Sequence, residues 1–188
     1  MKRHLLVLMR RKIGIGKRLA RVSRRWRAPI RGTRAPMTLR YAAWSFVSAT
    51  TGLLAICEVT SLSGHPLLIG SLGASAVLLF GATESPLAQP RNLVGGHLIS
   101  ALVAVVVVAL FGTTPLTMAL AVATSIFLMN ITHTTHPPGG ATALIGVQGA
   151  AGLGFVLLPV LTGALILLTV ACFTNNVVYH RSYPSHWL

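Results

Sequence analysis

Apolar residues fall in long blocks along this chain, without the strict alternation of a half-buried strand. Residues 41–61, 93–111, 116–132 and 153–178 are nearly uncharged and approach or reach the roughly 17–25 residues that a helix needs to cross a bilayer. Two shorter apolar stretches, 67–81 and 139–152, are interrupted by glycine. Polar breaks separate the blocks: Ser63-Gly64-His65-Pro66, a loop from Thr83 to Asn92, Gly112-Thr113-Thr114-Pro115, and a Pro-Pro-Gly-Gly run at 137–140. The pattern predicts an all-α, polytopic transmembrane bundle of about six membrane segments, two of them short and broken, with Tyr41 and Trp44 as interfacial anchors.

Two short matches recur at one offset of 67 residues. Gly73-Ala74-Ser75-Ala76 aligns with Gly140-Ala141-Thr142-Ala143, and Gly96-His97-Leu98-Ile99 with Gly163-Ala164-Leu165-Ile166. Apolar sequence produces such coincidences readily, so the repeat is one reading of two. If it holds, three segments per half is an odd number and the halves are inverted in the membrane, an arrangement in which paired broken segments mark a transporter's central site.

Composition agrees with a membrane chain: 188 residues, 53% hydrophobic, with Glu58 and Glu84 the two acidic residues. Of 16 Lys and Arg, 14 lie between Lys2 and Arg40, which divides the chain into a basic arm, residues 1–37, and a membrane domain with a short tail, 38–188. Apolar residues are interleaved with the arm's charges, so a cytoplasmic arm lying on anionic lipid is favoured over nucleic-acid binding. An Arg-rich transit segment is the other reading. With the arm inside, six crossings put Arg91 and Arg181 inside as well, but four crossings do the same.

The stretch from Thr135 to Ala143 holds the most distinctive chemistry. Pro137 and Pro138 lack backbone donors and Gly139 and Gly140 permit close approach, so a helix restarts here with its N-terminus beside His136. Such an end attracts anions. Irregular backbone at membrane depth is tolerated where protein buries it or a wet cavity lines it. A plain turn between two spans is the competing reading. Thr142 here, and Ser71 and Ser75 in the earlier short segment, offer hydroxyls that could replace water around a small anion or simply bond to their own helix.

His65, His97, His133 and His136 sit in or beside apolar segments, where polar groups are costly unless buried in protein or solvated. His133 and His136, three apart, would share a helix face. A metal site needs further ligands, with only Glu58 or Glu84 to supply carboxylate, so neither metal nor cofactor is expected. No nucleophile motif, phosphate loop or carboxylate pair is evident, and an enzyme is not expected. Glu84 and Arg91 could pair across the polar loop.

The runs His136-Pro137-Pro138-Gly139-Gly140-Ala141-Thr142-Ala143 and 73–81, with Glu84-Ser85-Pro86-Leu87-Ala88-Gln89-Pro90-Arg91-Asn92 after the second, resemble the HPP family of integral membrane proteins. The resemblance spans roughly residues 38–184. Members in chloroplast envelopes and cyanobacteria are linked to nitrite transport, so it implies a small-anion transporter or channel. It also leaves two locations, a bacterial inner membrane or a chloroplast envelope.

The expectation is a transporter in which Gly73, Ala74 and Ser75 face Gly139, Gly140, Ala141 and Thr142 around one anion site. His136 sets protonation there, and Pro137, Pro138, Glu84, Arg91 and Asn92 serve structure or gating. Expected partners are a small inorganic anion, the lipid bilayer and, as an open choice, a second copy of the chain. The alternative is a non-transporting scaffold or sensor whose arm binds lipid or a partner.

Overall fold

The structure, a computed structural model, describes residues 38–64, 69–178 and 182–187. The basic arm, the His65-Pro66 break and Arg181 lie outside the described residues, and with them the charge argument for orientation.

Every element among the described residues is helical, and each boundary has a local cause. Helix α1, Leu39–Ser63, starts where the Thr38 hydroxyl accepts from the Tyr41 amide and stops at Gly64, which takes φ 69° and returns its N–H to the Thr60 carbonyl. That left-handed conformation is where glycine is cheapest. Helix α2, Gly70–Ala76, runs on as a π turn, Val77–Gly81. A 3-10 turn, Pro86–Ala88, follows. Helix α3, Pro90–Phe111, begins three residues before the predicted start because proline at the first helical position loses a donor that would be unpaired anyway. Helix α4, Pro115–Ile131, opens with a reciprocal Thr114–Thr117 cap.

Helix α5 is Pro137–Gln148, so the break at 132–136 precedes the prolines instead of running through them, and the helix opens on them. The predicted single span over 153–178 is divided: Val156–Leu161 is kinked at Leu158 (φ -126°, ψ 115°) beside Pro159, then helix α6, Thr162–Phe173, continues into a π turn, Thr174–Val178. Proline interrupts the hydrogen-bond ladder there.

Three stretches are long and apolar enough to cross a bilayer, Leu39–Leu62, Pro90–Phe111 and Val156–Asn176, while Gly70–Gly81 and Pro115–Ile131 are shorter apolar helices. Phe46, Leu110, Phe127 and Phe173 point outward with more than half their surface exposed, as suits a bundle whose solvent is lipid. The chain is an integral membrane protein.

Helix α3 is the central strut and packs on α4, α5, α6 and the kinked stretch; α2 lies on α5, and α1 on α6. One apolar cluster joins Ile56, Leu72, Leu79, Phe80, Leu167 and Ala171, and a second joins Val103, Ala104, Ala121, Ala143 and Val147. Between lipid-solvated helices there is little hydrophobic gain from association, so small residues that let backbones approach carry much of the packing. Gly146 is such a contact: a Cβ added to it would sit 2.6 Å from the Ala104 Cβ and 2.9 Å from Phe155.

Gly146→Ala is therefore expected to destabilise the protein by about 1–3 kcal/mol through overpacking, and adding Ala104→Gly to recover part of the loss. Unfolding of the purified variants in detergent micelles checks both. Unchanged stability of the single variant would mean that α3 and α5 can part freely.

Candidate functional site

Three elements converge on a polar centre inside the bundle. Helix α2 contributes Ser71 and Ser75, one turn apart; α3 contributes His97; α5 contributes its capping residue His136 and, nearly two turns on, Thr142. All five side chains are fully buried. The Ser75 Oγ lies 2.7 Å from His97 Nε2 and 2.8 Å from His136 Nε2, so both imidazoles converge on one hydroxyl. On the far side of His97, Nδ1 lies 2.7 Å from the Thr142 Oγ1, which is 2.8 Å from the Ser71 Oγ. The two rings are 4.9 Å apart between centroids and tilted by 60°.

His136 Nδ1 is 2.8 Å from the Leu87 carbonyl oxygen. A carbonyl only accepts, so this nitrogen carries a proton. Because its side chain is committed to Leu87 and Ser75, His136 caps α5 with its backbone alone.

Backbone proximity makes the cluster possible. Gly96, one residue before His97, faces the His136 Cβ, which an added Cβ would meet at 2.5 Å; the Thr134 carbonyl oxygen would be at 2.9 Å. Across the same gap, a Cβ on Gly139 would meet the Gly96 carbonyl oxygen and the Ser100 Oγ, each at 2.9 Å. Ser100 is itself fully buried and its hydroxyl has no partner. It is a donor without an acceptor beside the first turn of α5.

The polar loop is bound to this centre and to the tail. Leu87 takes the His136 bond, the Ala88 carbonyl accepts from the Tyr183 hydroxyl at 2.8 Å, and the Gln89 Oε1 accepts from the Ser185 amide at 2.9 Å. Gln89 Nε2 donates to the Thr83 and Ser85 carbonyls. Burial, and after it the nearby Cys172, push the Tyr183 phenol above its ordinary pKa, so the tail keeps its donor.

Of the predicted site residues, Ser75, His136 and Thr142 meet in this cluster, and Gly139 is pressed against Gly96. Pro138 is buried and Pro137 exposed; Gly140 and Ala141 are half-buried, Gly140 on the α4 side facing Val122. Gly73 and Ala74 are not at a helix N-terminus, which is Gly70, and they face away: Ala74 is exposed and nothing lies within 4 Å of a Cβ on Gly73. Nor does the start of α5 offer the free amides by which a helix end attracts anions, as expected of it from the sequence. Its first two positions are prolines, and the Gly139 N–H is taken by the His136 carbonyl at 2.8 Å.

His133 shares no helix face with His136: it is exposed at φ 55° in the break between α4 and α5. Arg91 does not pair with exposed Glu84 but donates to the Thr132 carbonyl, and Asn92 donates to the Thr135 carbonyl. Both fasten the start of α3 to that break. Sequence reasoning names His97 among the histidines of apolar segments but leaves it out of the site, and it misses Ser100 and the Leu87 carbonyl. For His97 the signal was present, since the 67-residue offset pairs Ser75 with Thr142, the two hydroxyls that flank its ring.

Comparison with known proteins bears on the same span. The family model described as "HPP, transmembrane region" matches residues 34–184. Two proteins of Dictyostelium discoideum, each called a transmembrane protein, are similar: one is 43% identical over 177 residues, covering 87% of this chain and 62% of the relative. The other is 43% identical over 170 residues, covering 83% of this chain and 55% of the relative. The chain thus spans about three fifths of the length of these relatives. No solved structure matches it.

Removing the shared hydroxyl orphans two buried ring nitrogens, and each unpaired buried polar group costs about 1–3 kcal/mol. Ser75→Ala should accordingly lower stability in micelles clearly more than Ser125→Ala, whose buried hydroxyl has no partner to lose. Equal losses would show that the cluster contributes nothing through its hydrogen bonds.

Proposed function

The chain belongs to the HPP family of transmembrane proteins, and we propose that it is a transporter or channel for a small inorganic anion, with nitrite the first candidate from the family resemblance. The observation that carries this reading is the buried polar centre itself. Polar side chains inside an apolar membrane bundle are costly, face the interior, and tend to mark a solute or ion path. Here they gather where two short helices meet on a long one, with the unpartnered Ser100 hydroxyl as a ready donor.

A two-half organisation supports the same reading. At the offset of 67 residues, Gly70–Gly81 falls on Pro137–Gln148, and the α3 terminus at Phe111 falls on Val178, the end of the last π turn. Ser75 falls on Thr142, and each hydroxyl also approaches the carbonyl four residues back, Ser71 and Pro138. The Gly96–Gly139 contact falls on the contact of Gly163 with Leu72. Ala76 and Ala171 of one apolar cluster fall on Ala143 and Ala104 of the other. Six segments in inverted halves, with paired short helices at the centre, is a transporter arrangement in which one half rocks against the other around a fixed site.

The histidines break this correspondence, because His97 falls on Ala164 and His136 on Ile69. Both imidazoles thus lie on one side of an otherwise paired scaffold, which is how a doubled frame can hold a single site. Hydroxyls and imidazole N–H groups suit an anion, and the described bundle interior holds no carboxylate to suit a cation. An open apolar cleft lined by Ala55, Thr162, Leu165, Ile166, Thr169 and Val170 lies on the α1–α6 side, away from these groups. Location is part of the proposal, with the arm taken as cytoplasmic; the Dictyostelium relatives favour neither a bacterial inner membrane nor a chloroplast envelope.

Nitrite uptake into proteoliposomes tests the reading. The parent protein is expected to take up nitrite, and His136→Ala and Ser100→Ala to lower the initial rate about tenfold or more, the order of losing 1.4 kcal/mol at a critical contact. No uptake by the parent, or equal uptake by all three proteins, overturns it.

A further inference from the structure

We propose that Ser75, His97 and His136 form a binding centre for one exchangeable proton, shared between the two imidazoles through the serine hydroxyl. Donors and acceptors in the cluster can be counted atom by atom. With both rings neutral, the Leu87 carbonyl fixes the His136 proton on Nδ1, so its Nε2 must accept from Ser75. Ser75 has then used its one hydrogen and must accept from His97, which places the His97 proton on Nε2. Nδ1 of His97 then accepts from Thr142, whose hydrogen turns to it from the Ser71 Oγ. One carbonyl sets the hydrogen positions of four side chains, and the two histidines are forced into opposite tautomers.

The same contacts accommodate one proton more. If His136 gains a proton on Nε2, that nitrogen donates to Ser75, and the serine hydrogen turns to the Ser71 carbonyl, 3.1 Å away, with His97 unchanged. Alternatively His97 holds its neutral proton on Nδ1, bonded to Thr142, whose hydrogen turns to Ser71. The serine hydrogen then points at His97 Nε2. From there the transfer balances: the His136 Nε2–H bond breaks as a new Ser75 O–H bond forms, while the former Ser75 O–H breaks as His97 Nε2–H forms. The charge moves from one ring to the other, Ser75 ends as it began with one hydrogen, and no buried group is orphaned in either state.

Few other charges face the pair. Helices α2, α4 and α5 and the π turn after α2 carry no ionisable side chain. The loop and the start of α3 add Glu84 and Arg91, both exposed, the latter bonded to Thr132. The break before α5 adds His133, exposed, and α6 adds the Cys172 thiol, packed beside the first apolar cluster. In transport, a proton here would offset the charge of a co-transported anion; that use rests on the anion reading, whereas proton binding does not.

Nuclear magnetic resonance of the full chain with 15N-labelled histidine, in micelles, tests the centre without any flux measurement; His97→Gln and His136→Gln assign the signals. At alkaline pH the parent should show His136 protonated on Nδ1 and His97 on Nε2. On acidification both rings should shift together through one midpoint as the pair takes up a single proton. In Ser75→Ala the two rings should instead titrate at midpoints of their own, about one pH unit or more apart, because only above about that interaction strength do apparent midpoints belong to the pair and not to either ring. The same tautomer in both rings of the parent overturns the proposal, and that observation needs no variant to fold. Separate midpoints in the parent, or a shared midpoint that survives Ser75→Ala, overturn it equally.

Discussion

A bundle dissolved in lipid has no water to satisfy its interior, so every polar group it buries must find a protein partner or bear the cost of going without. In this bundle the demand is met around one serine hydroxyl. Two imidazoles meet at Ser75 because neither has solvent to turn to. They can do so only because Gly96 and Gly139 bring the backbones of α3 and α5 nearly into contact, where side chains would hold them apart. The polar loop is drawn in by the same demand, its Leu87 carbonyl filling the last position on the His136 ring. Packing and hydrogen bonding therefore support one another: a bulkier glycine position would open the polar cluster, and a lost hydroxyl would leave the close approach of α3 and α5 without its interior tie.

The apolar segments are readable from the sequence because little besides a membrane span or a deep core tolerates a long uncharged run. Their order and approximate bounds follow the block pattern, and the three long helices arise where it is most continuous. Starts are less readable. Proline at 90 and 137 reads as a breaker, whereas the first helical turn has no use for the missing donor and begins on it. The kink at Leu158 is hidden in an apolar run because Pro159 is one residue among many that favour a span.

At the site, residue type is informative and direction is not. Ser75, His136 and Thr142 stand out as rare polar groups in apolar segments, and they do meet. Gly73 and Ala74 enter the expected site because they flank Ser75, but a helix turns successive side chains about 100° apart, and Ser75 shares its buried face with Ser71, not with its immediate neighbours. His97 stays outside it because a lone histidine in a valine-rich span has no local mark of its partners. They come from Ser75 and Thr142, 22 and 45 residues away in sequence, and only the offset between the short segments hints at the pairing.

The tripeptide Leu87-Ala88-Gln89 has a further consequence. Its first residue holds the buried imidazole and the next two hold Tyr183 and Ser185, so three consecutive residues tie the bundle interior to the 182–187 segment. Anchoring of the 182–187 segment and anchoring of the buried ring are therefore tasks of adjacent residues, and neither contact can be rebuilt without its neighbour's backbone being placed as well.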